Sequence, residues 1–580
     1  MTPHSLTSPR PWLAGLGLSL LLAAAPALAD TTPRVLHVFS NTGAKEPHAP
    51  PIYLHGVEQP TLAGLTPSGS EGFGHYYSLD LSSPEAAFSS ESFPASGYVG
   101  LYTGLAELFD GTVLLGSTPY AAADPTVFRW TMGEAPGNAV TTPEDPTDDT
   151  TGFGSSFRPR GLFAVDADDN TYFGGGGAAN GNTLFRLSSS GELVALVDFE
   201  NYRDGTSTRY AKGQYPAALV VDDESNRLYG INVRHQSDQS GDPDAVPEGD
   251  ETAGTLFEVD LSVAATDGTT PVTVLHTFAR QAEGEIIASD SGLQALAKAG
   301  EWLYGTTNKA LWRYRLGVSE SFSLLHIFGE ELGDGITPWG PLVVAADGNV
   351  YGTARRTVTE EGQPRGAGIL FRVVIGKADD HADDQYEILH RFDVEADGAF
   401  PVGLYAGPVE GQTQTLYGAT KRGGNEGDTV NANDADGFGT VFAVDIELPV
   451  TADIQLSADP QNLTLNESIT LTWSVSNADN CSGEGDWAGV KATEGSETIT
   501  PSVDGELTFI LACVDANNER VETSVTVTVE PAEDGGDGDG DNGDDSGGGS
   551  SSGGGGGALS LLWLSALVLL TVRHRRRFSL

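Results

Sequence analysis

Five short apolar stretches with the same internal order punctuate the chain. They are Val35-Leu36-His37-Val38-Phe39, Ala195-Leu196-Val197-Asp198-Phe199, Val274-Leu275-His276-Thr277-Phe278, Leu324-Leu325-His326-Ile327-Phe328 and Ile388-Leu389-His390-Arg391-Phe392. Each opens a unit in which an apolar run such as Pro341-Leu342-Val343-Val344 precedes an Asp/Gly/Asn turn, then a Tyr-Gly strand, then a strand carrying Leu-Phe or Val-Phe. The Tyr-Gly element stands at Tyr229-Gly230, Tyr304-Gly305, Tyr351-Gly352 and Tyr417-Gly418, with weaker forms at Leu115-Gly116 and Phe173-Gly174. The closing element stands at Thr126-Val127-Phe128, Thr183-Leu184-Phe185, Thr255-Leu256-Phe257, Ile369-Leu370-Phe371 and Thr440-Val441-Phe442. Four short strands per unit, separated by turn residues, predict the blade of a β-propeller. About seven units fit between residues 34 and 447, the first two degenerate. Six or eight blades also fit, because residues 34–132 are less regular, and an open β-solenoid is the rival fold.

Beyond the repeats the pattern changes. Ser468-Ile469-Thr470-Leu471-Thr472-Trp473-Ser474-Val475 and Ser524-Val525-Thr526-Val527-Thr528-Val529 alternate strictly, as half-buried strands do. Residues 450–530 therefore predict a small Ig-like β-sandwich. It holds the only two cysteines, Cys481 and Cys513, expected to form one disulfide across the two sheets. Trp473 precedes both cysteines, so the antibody arrangement is not reproduced. Residues 531–557 are nearly all Asp, Gly and Ser and predict a solvated tether. The fold class is all-β: a propeller over residues 30–447, a sandwich over 450–530, a flexible acidic linker and one hydrophobic helix within 558–580.

Both ends carry targeting patterns. Arg10, an apolar run from Trp12 to Leu22 and Ala27-Leu28-Ala29 make residues 1–29 a secretory signal peptide, with signal peptidase expected to cut between Ala29 and Asp30. The run is shorter than the roughly 20 residues of a spanning helix, which argues against an N-terminal anchor. At the other end a glycine run ending in Gly556 and Gly557 leads into fifteen largely apolar residues and then Arg573, Arg575, Arg576 and Arg577. Glycines, a short apolar helix and a basic terminus resemble the GlyGly-CTERM sorting signal. That resemblance implies cleavage by a rhombosortase-type intramembrane protease and handling by the type II secretion system of a Gram-negative bacterium. An uncleaved C-terminal membrane anchor is the alternative, and both readings place the chain at the cell surface or outside the cell.

The combination of Leu-His-x-Phe, Asp347-Gly348-Asn349-Val350-Tyr351-Gly352-Thr353 and Gly439-Thr440-Val441-Phe442 resembles the GloVer-type tandem repeat of large exported bacterial proteins. The match covers residues 195–445 and is looser before them. It implies export, repetition and anchoring, and supplies no catalytic residue.

Charge narrows the partners. With 81 acidic and 31 basic residues the formal net charge is −50, a field that repels nucleic acid and anionic lipid. No zinc-protease helix, nucleophile elbow, phosphate loop or dinucleotide fingerprint is present, so no catalytic residue and no metal ligand is assigned and a noncatalytic role is expected. A carbohydrate-active propeller with acids scattered over several blades is the enzymatic alternative. His37, His276, His326 and His390 occupy one repeat position, which Val197 fills in another unit. That position is read as packing. No cofactor is expected. Asp537, Asp539 and Asp541 have the alternate spacing of a calcium loop, but Asn542 stands where the turn wants Gly and no Glu follows, so a plain linker is the main reading and calcium the lesser one. Asp166-x-Asp168-x-Asn170 coincides with a repeated hairpin and is read as turn chemistry.

One constellation stands against the acidic background. Four residues after the Tyr-Gly glycine, the last four units carry Arg234, Lys309, Arg356 and Arg422, with Arg355 and Lys421 just before two of them. Equivalent propeller loops emerge on one face, so these cations predict an anion-binding arc suited to an extracellular acidic polysaccharide. The competing reading is neutralisation of acidic neighbours such as Glu360, Glu361, Asp428 and Asp434. Three roles follow: a ligand-binding or adhesion module, a structural surface or matrix protein without a discrete ligand, and a carbohydrate-active enzyme.

Overall fold

The computed structural model describes residues 32–532 apart from 70–73, 83–86, 93–103, 109–110, 118–125, 131–138, 142–158, 176–182, 200–208, 237–251, 265–267, 280–294, 360–365, 377–380, 430–434, 451 and 516–519. Outside the described residues lie the signal segment with Ala29 and Asp30, the aspartates Asp537, Asp539 and Asp541, and the C-terminal segment with Gly556, Gly557, Arg573, Arg575, Arg576 and Arg577. Among the described residues no helix is long and apolar enough to cross a membrane. The chain divides into two compact units that meet at Glu447 and Leu448.

Among the described residues of the first unit, seven antiparallel sheets of four or five strands follow one another along the chain, besides a two-stranded pairing of Ala44–Lys45 with Ser68–Gly69. Blade 1 comprises Ile52–Leu54, Thr61–Thr66, His75–Asp80 and Ala87–Ser92; blade 2 comprises Leu105–Glu107, Val113–Ser117, Thr126–Trp130 and Ala139–Thr141. Blade 3 runs from Pro159–Val165 through Thr171–Gly175 and Thr183–Leu187 to Leu193–Asp198, and blade 4 from Arg209–Asp222 through Arg227–Gln236 and Thr252–Asp260 to Val272–Ala279. Blade 5 is built of Leu296–Ala299, Trp302–Thr306, Ala310–Arg315 and Ser323–Ile327. Blade 6 splits its first strand into Gly335–Pro338 and Val343–Val344, followed by Val350–Thr357, Ile369–Val374 and Gln385–Arg391. Blade 7 takes Ala399–Glu410, Thr413–Arg422 and Thr440–Glu447 from the end of the unit and its fourth strand, Arg34–Val38, from the beginning. First strands of neighbouring blades touch in sequence from blade 1 to blade 7, and that of blade 7 returns to Ile52–Leu54, so the ring is closed.

The repeated pentamer differs from its sequence reading in one respect. It opens no blade; it forms the fourth, outermost strand of the blade before it, as Leu193–Asp198, Val272–Ala279, Ser323–Ile327 and Gln385–Arg391 show. The sequence unit is offset from the structural one by a strand, and this offset lets the first pentamer complete the last blade. In all five cases the pairing register shifts at the leucine in second place (Leu36, Leu196, Leu275, Leu325, Leu389), a bulge that bends the outer strand.

The Tyr-Gly and Leu-Phe elements explain each other. Gly230, Gly305, Gly352 and Gly418 stand opposite Phe257, Trp312, Phe371 and Phe442 across the second and third strands. A Cβ on these glycines would lie 2.2–2.5 Å from the facing ring, so the missing side chain is the space the ring occupies. Gly64 and Tyr77 repeat the arrangement in blade 1. The phenylalanine closing each pentamer then meets that ring from the preceding blade. Ring centroids are 5.1 Å apart for Phe39–Tyr77, 5.4 Å for Phe199–Phe257, 5.3 Å for Phe278–Trp312, 5.6 Å for Phe328–Phe371 and 5.2 Å for Phe392–Phe442. Between blades 1 and 2 a carboxylate joins instead, as Glu107 accepts the backbone N–H groups of His55 and Gly56, each at 2.8 Å.

The second unit packs a sheet of Asp453–Asp459, Ile469–Ser476 and Glu494–Ile499 with a five-stranded sheet containing Ala478–Gly485, Gly505–Asp515 and Arg520–Glu530. Its core holds Trp473, Trp487, Phe509 and Leu511. Cys481 and Cys513 are bonded, but not across the sheets as expected. Ala478–Gly485 and Gly505–Asp515 are neighbours in one sheet, and the register shift between Asp479 and Ser482 brings the two cysteines side by side, both facing the core.

Gly352→Ala should lower the melting temperature of the propeller, and adding Phe371→Leu, which withdraws the ring, should recover part of the loss; an unchanged melting temperature in Gly352→Ala would show that the ring does not need the space. Reducing the disulfide should destabilise the sandwich by about 2–5 kcal/mol, read as a lowered transition with reductant while the propeller transition stays in place.

Candidate anion-binding face

In an antiparallel blade the end of the second strand lies beside the start of the first, and the chain arriving from the previous blade enters at that edge. Register places Arg356 opposite Ile336, Arg422 opposite Ala399 and Arg234 opposite Gln214. Lys309 is exposed in the bend between Trp302–Thr306 and Ala310–Arg315. The four cations therefore occupy one face in blades 4 to 7, as the repeat position implied. The side chain of Arg234 lies outside the described residues.

Two of them touch the next blade. Arg422 Nη1 is 2.5 Å from Glu46 Oε1, with the side chains only 19% and 21% exposed. Glu46 belongs to the connection entering blade 1, so this ion pair spans the seam where the ring closes. The guanidinium of Arg356 sits 4.4 Å from the ring centroid of Phe400 in blade 7, and that of Arg355 lies 5.2 Å from both Phe400 and Trp339. Among the described residues Glu46, which the sequence did not single out, is an acidic partner of Arg422. Asp428 accepts from the N–H and side-chain amide of Asn425, and Glu360, Glu361 and Asp434 lie outside the described residues.

The sequence reading missed what lies inward of this arc. Glu46, Thr337 and Phe400 each precede a proline and have φ of 57°, 59° and 61°. Proline pushes its predecessor towards extended backbone, and left-handed φ is costly for residues other than Gly, so three equivalent outliers mark a strained edge held by its surroundings. One residue past the proline come His48, Trp339 and Val402. The half-buried His48 is lowered from 6.5 to about 3, first by burial and then by the positive charges of Lys421, Arg355 and Arg422. Those residues come from blades 6 and 7, so the cations of two blades act on a side chain entering a third. The recurring proline was the available signal, present at Pro47, Pro338 and Pro401.

The repeat histidines pack, as expected, and also bridge blades. His37 stacks on Phe88 at 3.7 Å, His276 on Phe322 at 3.8 Å and His326 on Tyr386 at 3.8 Å, each partner standing on or beside the outermost strand of the next blade. His326 Nε2 lies 3.0 Å from buried Asp334, and His390 Nε2 lies 2.6 Å from buried Asp397. Burial alone lowers His37 to about 4. Burial works against ionisation of Asp334, but hydrogen bonds from His326 and from the backbone N–H groups of Gly329 and Gly335 outweigh it and hold its carboxyl below the usual range.

Asp166 has its oxygens occupied by the N–H groups of Asp168 and Asn170, the Asn170 amide and the Tyr172 hydroxyl, and Asp347 makes the matching clasp with Asn349 and Tyr351. These are turn bonds rather than a cation loop. Among the described residues no group of three His, Cys, Asp or Glu is placed to hold a metal.

No family model matches the chain, and no curated protein matches it. Among solved structures it is similar to PorZ, a surface component of the type-IX secretion system of Porphyromonas gingivalis, at 12% identity and a TM-score of 0.41 over 85% of this chain; it spans 60% of the length of that one. It is also similar to a protein of unknown function from Dyadobacter fermentans, at 10% identity and 0.34, over 73% of this chain and 100% of that one. Sqt1 from Chaetomium thermophilum gives 10% and 0.34, over 72% and 100%. Likenesses this distant carry nothing about ligand, partner or location.

Two acid-side effects separate by pH. The folded pKa of His37 lies below its unfolded value, so stability is lost as pH falls from about 6.5 towards 4; His37→Phe, which keeps a ring against Phe88, should make the fall of the melting temperature over that window shallower, the remaining slope including the share of His48. The folded pKa of Asp334 is depressed, so its contribution is complete above about pH 4 and is lost below it. Asp334→Asn should lower the melting temperature at pH 7 and reduce the further fall below pH 4; a parallel curve would show that the carboxylate does not matter.

Proposed function

We propose that the protein is an exported, noncatalytic surface module whose propeller binds an acidic polysaccharide or a similar polyanion on the face where its second strands end. The observation that carries this reading is the gathering of Arg234, Lys309, Arg355, Arg356, Lys421 and Arg422 at that edge of a chain with net charge −50. Cations concentrated against such a background create a local potential opposite to the field of the whole molecule, which steers an anion to one place. Export is supported by the signal segment, by the acidic surface and by the buried Cys481–Cys513 bond, which suits an oxidising compartment. In this reading signal peptidase releases Asp30, and a rhombosortase-type protease with type II secretion handles the C-terminal segment.

Blade 7 gives the face a direction. Its third strand begins at Thr440 on the cation side and ends at Glu447 on the opposite side, where the chain leaves the propeller.

A second reading, a structural surface protein without a discrete ligand, is favoured by the Arg422–Glu46 pair and the seat of Arg356 on Phe400, both of which join blades. The two readings separate by measurement. The mature protein should bind polygalacturonate or dextran sulfate but not neutral dextran, more weakly as salt rises, and Arg234→Ser with Lys309→Ser should weaken it. Saturable binding is expected; its absence at low salt with every polyanion would leave the structural reading.

A further inference from the structure

The predicted arc runs along the face, and three cations of blades 6 and 7 also bear on one side chain inward of it. Three observations meet there. Arg355 of blade 6 and Lys421 and Arg422 of blade 7 all act on His48, in the connection entering blade 1. Among the described residues, the left-handed, pre-proline residues are Glu46 in the connection entering blade 1, Thr337 in the first segment of blade 6's split first strand and Phe400 at the start of blade 7's first strand. All three thus lie in or just ahead of first strands, and Ile52–Leu54, Val343–Val344 and Ala399–Glu410 belong to the layer through which neighbouring blades touch around the ring.

We propose that the inner edge where blades 6, 7 and 1 meet is an anion-binding site, in which Arg355, Lys421 and His48 hold one carboxylate or sulfate group of a polyanionic chain. This rests on the surface-binding reading and gives it a location. Each component has a role its chemistry suits. Arg355 is planar and fixed by rings on two sides, Trp339 and Phe400, so its fork is oriented before a ligand arrives and little side-chain entropy is lost on binding. Lys421 supplies a compact charge from the adjacent blade. Its neighbour Arg422 is tied to Glu46, which locks the blade 7 to blade 1 seam and holds the connection that carries His48. His48, neutral in the free protein, offers a ring nitrogen as hydrogen-bond donor and takes a full charge more readily once an anion lies against it. The strained backbone at Glu46 and Phe400 persists because the Arg422 ion pair and the two arginine–ring contacts hold those residues in place, a pattern typical of ligand clamps.

The half-exposed Trp339 stands beside this group and carries an aromatic face of the kind that packs against a sugar ring, next to the charge that would take its acidic substituent. A uronate or a sulfated sugar presents both features on one residue, whereas inorganic sulfate presents only the anion.

The test compares binding of the mature wild-type protein with that of an Arg355→Ser/Lys421→Ser variant and of an Arg34→Ser/Arg520→Ser control that removes the same charge elsewhere. The probes are polygalacturonate and dextran sulfate in a salt series, with sodium sulfate as competitor. The expected result is a loss of at least about tenfold in affinity and a shallower salt dependence in the inner variant, and little change in the control. Should the double variant fail to fold, Lys421→Ser and Lys421→Arg decide: the first should weaken binding and the second restore it. Equal binding by wild type and inner variant overturns the site and leaves the surface-binding reading intact. Equal loss in the inner variant and the control also overturns it, because net charge would then suffice. No binding by the wild type sinks both. Competition by sodium sulfate at concentrations near those of the polymer's own sugar units would show a simple anion site and overturn the part assigned to Trp339.

Discussion

The propeller depends on a void filled from across the sheet. A glycine in the second strand leaves room for an aromatic ring from the third, and that ring receives the phenylalanine of the preceding blade's outer strand. Sheet pairing and blade-to-blade packing therefore converge on one side chain per blade. Phe257, Trp312, Phe371 and Phe442 are all fully buried. An aromatic pair of this kind contributes roughly 0.5–1.5 kcal/mol beyond the area it buries, and five such seams hold most of the ring. The repeating unit is then best regarded as a joint between blades.

Much of this was legible because the joint has a fixed composition. Gly beside Tyr, Leu before Phe and the Leu-His-x-Phe pentamer recur at positions where only a few residue types fit, so periodicity showed a four-stranded repeat and its spacing over residues 195–445, while the start of each blade and the number of blades stayed open. What was not legible has physical reasons. Blade 1 uses Ala63-Gly64 and Tyr77 in place of Tyr-Gly and Leu-Phe, which keeps the geometry and loses the motif. The offset of the pentamer by one strand is invisible in a tandem sequence, since any starting point gives the same repeat. The disulfide was placed across two sheets because alternating strands do not reveal which of them are neighbours.

The candidate site shows the same division. Residue type and repeat position put Arg234, Lys309, Arg356 and Arg422 on one face, but not the fact that Glu46 awaits Arg422 from the other end of the chain. His48 stood alone in the sequence and gains meaning only from closure of the ring. The repeat histidines were read as packing because Val197 replaces one of them; His326 and His390 stack or pack and also reach a buried carboxylate, so a single position serves two kinds of contact. An apolar substitute in one blade does not make the polar contact redundant in another.

The closing strand has a mechanical consequence. Thr440–Glu447 is hydrogen-bonded on one side to Thr413–Arg422 and on the other to Arg34–Val38, so the strand through which the chain leaves the propeller is an inner strand of its sheet. A lengthwise pull applied beyond Glu447 would load the ladder to Thr413–Arg422 first and meet the second ladder, to Arg34–Val38, only from Ala443 inward. The first strand of the propeller thus backs the Thr440–Ala443 half of the last one, and the exit half is held by Thr413–Leu416 alone among the named strands.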